Sequence, residues 1–112
     1  MSQFEYILFL SKGQSRNINN CGTSDILSVP NKKQKDLNGK NLHDTEKPVE
    51  LMKILIENSS KEGDWVLDPF CGINATGVAC KELNRNYIGF EIDENYFKIA
   101  KERTKCKNLK QN

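Results

Sequence analysis

The stretch from Trp65 to Ile92 constrains the chain most. An apolar triplet, Trp65-Val66-Leu67, runs straight into Asp68-Pro69-Phe70-Cys71-Gly72. Helix-compatible residues follow over Thr76–Leu83, where Gly77, Ala79 and Cys80 are small enough to pack closely on a sheet. Asn84-Arg85-Asn86 is a turn, and Tyr87–Ile92 is a second apolar strand. Strand, glycine turn, helix and strand in this order predict a parallel βαβ unit, because parallel neighbours need a crossover and a helix is the usual one. Asp93 is placed to cap a final helix on which Tyr96, Ile99, Ala100 and Arg103 share a face.

Upstream the pattern is thinner. Thr45-Glu46-Lys47-Pro48 opens another helix, since proline loses nothing in a first turn whose N–H groups have no partner. Val49, Met52, Leu55 and Ile56 recur at helical spacing, with Glu50, Lys53 and Glu57 elsewhere around the wheel. Phe4–Leu10 is aromatic and branched enough to predict a strand, within residues 1–12. Residues 13–42 read as a polar loop of roughly thirty residues, long for a compact domain, with room for a short strand at Asp25–Val29. Residues 43–112 then hold the helix and the βαβα unit, in a single α/β domain.

With 112 residues there is one small domain and little surplus core. The apolar fraction is 37%, lowered by the polar stretch, and a net charge of +2 is too weak to argue nucleic-acid binding by itself. No apolar run approaches the length of a membrane span, and Phe4–Leu10 lacks the basic flank of a secretion signal, which points to the cytoplasm. Cys21, Cys71, Cys80 and Cys106 form no CxxC pair, so reduced thiols are expected, with Cys71 and Cys80 packed as small apolar residues.

A βαβ unit takes a nucleotide-type ligand beyond the carboxyl ends of its strands. Gly72 starts the first such turn, and Glu91 lies 19 residues further on, at the end of the second strand. A carboxylate there can accept both hydroxyls of a ribose; the plainer alternative is a surface acid at a strand end. A dinucleotide needs three glycines to bring backbone against its pyrophosphate, and Gly72-Ile73-Asn74-Ala75-Thr76-Gly77 does not supply that pattern. Asp68 at the strand end suits a cationic ligand better, and S-adenosylmethionine carries an ammonium and a sulfonium but no phosphate.

Asp68-Pro69-Phe70-Cys71-Gly72, followed by Thr76-Gly77-Val78-Ala79-Cys80, resembles the cofactor motif of DNA adenine-N6 and cytosine-N4 methyltransferases: DPF, any residue, GxGTT, then a helix of small residues. Asn84 through Asp93 resembles that family's next turn and acidic strand, and Tyr96 through Arg103 its closing helix. His43-Asp44-Thr45-Glu46-Lys47-Pro48 is similar to its HxTxKP motif, and Phe4–Gly13 to the strand before it. The resemblance implies part of a Rossmann-like methyltransferase fold with an incomplete sheet. It further implies S-adenosylmethionine as cofactor, with Asp68, Phe70 and Gly72 against its methionine and adenosine portions. Thr76 would offer a hydroxyl near the methionine carboxylate, Glu91 would hold the ribose, and Thr45, Lys47 and Pro48 would complete the site. For His43 and Lys47 the plain alternative is a solvated side chain near a helix start.

Two departures from the pattern carry expectations. Asn74 stands where the family has glycine and Ala75 where it has a hydroxyl. Asn tolerates a left-handed backbone, but its side chain is expected near the ligand. Each hydrogen bond lost to a charged group is worth roughly 1.5–3 kcal/mol, enough to weaken the cofactor tenfold. The second departure concerns chemistry. The family holds a flipped base against a (D/N/S)PP(Y/F/W) motif, but proline occurs here only at Pro30, Pro48 and Pro69. No catalytic residue is therefore assigned, and the chain is expected to be inactive alone. The partners implied are double-stranded DNA in the complete enzyme and a complementary chain carrying the catalytic motif, or self-association to cover an open sheet. A non-catalytic binding module and a degenerate remnant are the competing readings.

Overall fold

A computed structural model of the chain describes residues 5–14, 17–30, 37–39 and 47–105. Five elements follow in order: α1 (Val49–Ser59), β1 (Trp65–Asp68), α2 (Ala75–Glu82), β2 (Asn86–Gly89) and α3 (Glu94–Arg103). β1 and β2 pair in parallel, Trp65 opposite Asn86 and Asp68 opposite Gly89. The expected βαβ unit is therefore present, and each of its boundaries lies within a few residues of the predicted one.

Local chemistry sets those boundaries. Pro48 sits just outside α1 with an extended ψ of 137°, where its missing N–H costs nothing. α2 ends in a left-handed Asn84 (φ 60°), and the Arg85 N–H bonds back to the Cys80 carbonyl at 2.8 Å, a glycine-type helix stop made with asparagine. The Asp93 carboxylate accepts from the Tyr96 N–H at 3.0 Å and caps α3 as predicted. Tyr96, Ile99, Ala100 and Arg103 form the more buried face of that helix.

The core lies between the helices and one face of the sheet. Ile56, Ala79 and Cys80 are buried, with Val49, Met52, Val66, Leu83 and Tyr87 packed around them. Small side chains on α2 let α1 approach it closely, and Cys80 is filled in as an apolar residue, fully buried. Asn58 at the end of α1 is also buried. Its amide takes the Asn20 N–H at 3.1 Å and donates to the Thr23 hydroxyl at 3.1 Å, tying the polar segment to the helix.

Three expectations are corrected. Residues 5–10 form no strand; Tyr6, Leu8 and Leu10 are more than four-fifths exposed. A strand exists only through a ladder partner, and no described residue offers one there. Asp25–Val29 is likewise irregular. The second strand stops at Gly89 instead of Ile92, because the Phe70 N–H, which the next rung of the parallel ladder needs, is turned to the Asp68 carboxylate at 3.1 Å. One further ladder-like pair survives beyond it, Phe90 N–H to Asp68 O and Cys71 N–H to Phe90 O.

The other face of the sheet is uncovered. Trp65, Leu67, Ile88 and Phe90 alternate with the core residues and are 46–68% exposed. Among the described residues the sheet has two strands only, so both outer edges are open.

Candidate functional site

The loops leaving β1 and β2 enclose an open cleft of about 430 Å³, lined by residues of both loops together with Lys47 and Met52. That volume lies within the range of small-molecule sites. Asp68, Phe70, Gly72, Thr76, Glu91 and Lys47 all line it. Pro48 stands beside it as the residue that starts α1, and Thr45 lies outside the described residues, as does His43.

Asp68 is held on two sides. Its Oδ1 accepts the Phe70 N–H at 3.1 Å, and its Oδ2 accepts the Thr76 hydroxyl at 2.7 Å. Because a hydroxyl has one hydrogen, Thr76 here points its donor at Asp68 and leaves only lone pairs for any ligand. The turn that follows holds two left-handed residues, Gly72 (φ 56°) and Asn74 (φ 65°). Gly72 is the residue that lets the chain double back without a Cβ.

Glu91 spans the two loops. Its Oε1 accepts the buried Gly72 N–H at 3.0 Å, and its Oε2 accepts the Asp93 N–H at 2.9 Å. Each oxygen keeps a lone pair, so the carboxylate is fixed in position and still able to accept from a ligand. Two backbone donors thus fix an acid in the same cleft lining as Asp68, at the end of the neighbouring strand. Lys47 at the opposite rim makes a bidentate pair with Glu5, at 2.7 and 2.9 Å, between exposed side chains. It is the cation among the lining residues.

Asn74 departs from expectation. The residue lines the cleft, but its side chain folds back on α2, where Oδ1 accepts the Gly77 N–H at 2.9 Å, and it is 5% exposed. Its left-handed backbone is as predicted. Ala75 is buried at the first position of α2.

The cleft carries two carboxylates, one ammonium at its rim and an aromatic ring, Phe70, that is 88% exposed and free to stack. Hydroxyls, a cationic group and a flat ring are the ligand features this set can hold; a polyphosphate would meet two like charges. Burial, with the nearby Asp68 and Glu91 carboxylates, pushes the Cys71 thiol up and keeps it neutral. Among the described residues no group of acids, cysteines or histidine has metal-site geometry. Nor is any described helix long and apolar enough to cross a membrane.

Met52 and Ile73 also line the cleft and were not singled out from sequence. Met52 carried a signal, lying one helical turn past Pro48 on the same face. Ile73 lies inside the motif but is almost fully buried, which spacing alone does not reveal.

Comparison with known proteins bears on this geometry. The family described as DNA methylase, covering N6- and N4-methyltransferases, matches residues 2–102. The Type II methyltransferase M2.DpnII of Streptococcus pneumoniae is 46% identical over 66 residues, 59% of this chain and 25% of that protein. The crystal structure of the M1.HpyAVI–SAM complex superposes with a TM-score of 0.61 at 39% identity, over 78% of this chain and 42% of the other. The cytosine-N4-specific PvuII DNA methyltransferase gives 0.66 at 22% identity, over 82% and 35%, and speaks for the fold alone. The chain thus spans about a quarter of M2.DpnII.

Proposed function

The chain belongs to the DNA methylase family, and from that premise we propose that its cleft is the S-adenosylmethionine site of a DNA N-methyltransferase. The observation that carries this reading is Glu91, held by Gly72 and Asp93 in the cleft that Asp68 also lines, with lone pairs left to accept ribose hydroxyls. Phe70 supplies a stacking surface for the adenine, and Asp68 offers its charge to the ammonium. Thr76 serves chiefly by holding Asp68, and Lys47, released from Glu5, is the group for the methionine carboxylate. Pro48 and Thr45 would complete that side. The bound cofactor supplies an electrophilic methyl group.

The acceptor on this reading is an adenine or cytosine amino group in double-stranded DNA. The sequence holds no Pro-Pro pair to orient that amino group, so we assign methyl transfer to this chain only when a complementary chain brings the motif. The uncovered face of Trp65, Leu67, Ile88 and Phe90 is where such a chain, or a second copy, would pack. We further propose a restriction–modification setting in the cytoplasm for the complete enzyme.

Titration calorimetry of the full chain with S-adenosylmethionine tests the binding reading, and millimolar cofactor without heat would overturn it. A tritiated-methyl assay on mixed-sequence DNA tests the rest. No transfer is expected from the chain alone, and turnover abolished by Glu91→Ala would refute that assignment.

A further inference from the structure

Asn74 and Gly77 interlock, and the structure assigns to this pair the positioning of the cofactor loop. This inference rests on the reading of the cleft as the S-adenosylmethionine site. Asn74 does three things at once. Its backbone takes the left-handed conformation (φ 65°) that the loop needs between Cys71 and α2. Its side-chain oxygen caps α2 through the Gly77 N–H. Its own N–H donates to the Cys71 carbonyl at 2.7 Å, closing the turn around Gly72.

The amide of Asn74 fits only because residue 77 has no side chain. A Cβ on Gly77 would lie 2.6 Å from Asn74 Cγ and 2.8 Å from its Oδ1, and nearer still to Nδ2. The three atoms nearest to that Cβ all belong to Asn74. Gly77 is therefore not merely a small residue for helix packing, and its own φ is not in the left-handed range. The space that glycine leaves in α2 houses the side chain that replaces the loop glycine of the family pattern. Asparagine removes the backbone freedom that glycine has, and the cap adds a second restraint, so the loop is held ready for ligand. Asn74 is thus a positioning residue that favours binding, not an obstruction to it.

A double-mutant cycle tests this on the full chain, with melting temperature and S-adenosylmethionine affinity read together. Asn74→Gly should lower Tm by only about 1–3 °C, since glycine is a tolerated N-cap and enters the left-handed region freely. It should also weaken the cofactor about fivefold, as the competent loop becomes less populated. Gly77→Ala should lower Tm more, by ~4–8 °C in the parent, because Asn74 must swing out. In the Asn74→Gly background the same Gly77→Ala change should instead raise Tm by about 4 °C or more, since alanine is then simply the better helix residue. That change of sign is the signature of the pair. Ile56→Val, in the core away from the cleft, serves as control: it should lower Tm and leave affinity unchanged.

Additive effects on Tm would overturn the interlock. Asn74→Gly with undiminished affinity would overturn the positioning role even if Tm falls. If the parent itself binds no cofactor, the site reading fails and the positioning role with it, while the sign change in Tm still stands or falls by itself.

Discussion

Glu91→Ala is the most informative single change, because one carboxylate has both a structural and a binding task. Structurally it accepts two backbone donors, from Gly72 and Asp93. Gly72 is buried, so its orphaned N–H costs about 1–3 kcal/mol, whereas Asp93 is exposed and rehydrates for roughly 0.5 kcal/mol. The sum is about 2.5 kcal/mol at mid-range, a fall in Tm of roughly 10–20 °C for a domain of this size. On the proposed reading the same change removes the acceptor of two ribose hydroxyls. At about 1.5 kcal/mol each, the lower bound for bonds to a charged group, affinity falls roughly a hundredfold. Glu91→Gln separates the tasks. Its one carbonyl oxygen can keep the Gly72 N–H, which restores most of the lost Tm, but its NH2 cannot accept a hydroxyl. Melting curves with and without S-adenosylmethionine, read beside calorimetry, give both quantities. A Glu91→Ala protein that melts within 2 °C of the parent, taking about 4–8 °C per kcal/mol, would refute the bridging geometry. A Glu91→Gln protein that binds as tightly as the parent would refute the ribose assignment.

Other predictions address the rest of the site and the fold. Thr76→Val keeps the shape of residue 76 but removes the donor to Asp68, and is expected to lower Tm by about 4–8 °C, roughly 1 kcal/mol for a part-buried bond. Thr76→Ser should restore it, and a valine variant equal to the parent would exclude the contact. Burial raises the Cys71 and Cys80 thiols, and the Glu82 carboxylate raises Lys53. All three are raised, so their contribution is fully present below the unfolded thiol range, about pH 9, and is lost as pH rises through the folded values. The urea midpoint should therefore decline above about pH 9, and a midpoint that rises there contradicts the shifts. Alkylation should reach exposed Cys21 before buried Cys80, and S-adenosylmethionine should protect Cys71; indifference of Cys71 to cofactor would place the ligand elsewhere. Trp65 should emit as a solvated indole in the isolated chain and shift to the blue on assembly. Trp65→Lys with Leu67→Lys should abolish association and leave cofactor affinity at that of the isolated chain, and unchanged association would exclude this face.

The parts of the fold that were legible are the local ones. β1, α2 and β2 follow one another directly, and their turn residues, Gly72, Asn84 and Asp93, each state a backbone conformation that sequence can announce. Phe4–Leu10 was misread for the converse reason. Its composition suits a strand, but strand formation depends on a partner that composition cannot supply. At the site, Asp68, Gly72 and Glu91 were legible because βαβ geometry brings strand ends together whatever lies between them. The direction of Thr76 was not, since its choice between ligand and Asp68 is settled by a 2.7 Å contact eight residues away. The left-handed backbone of Asn74 was foreseeable from residue type, but the fold of its side chain depends on Gly77, three residues on. An asparagine followed by glycine at the N3 position is a readable pattern once the cap is considered together with the room it needs.

The two open questions, cofactor affinity and assembly, meet on the same short strands. Val66 and Tyr87 face the core that supports the cleft, while Trp65, Leu67 and Ile88 alternate with them on the uncovered side. β1 has four residues, and its last, Asp68, is a wall of the cleft. Anything that buries the outer face therefore restrains the strand whose end presents Asp68, and through the Phe90–Asp68 and Cys71–Phe90 hydrogen bonds it restrains the Glu91 loop as well. Binding free energies at two linked sites are reciprocal, so a covering chain that tightens cofactor binding must itself be held more tightly when cofactor is present. On the proposed reading the isolated chain is the weak-binding limit of this site. Its affinity for S-adenosylmethionine reports the loops alone, which Asn74 and Glu91 already hold in place, and the increase on assembly reports what the bare sheet face lacks.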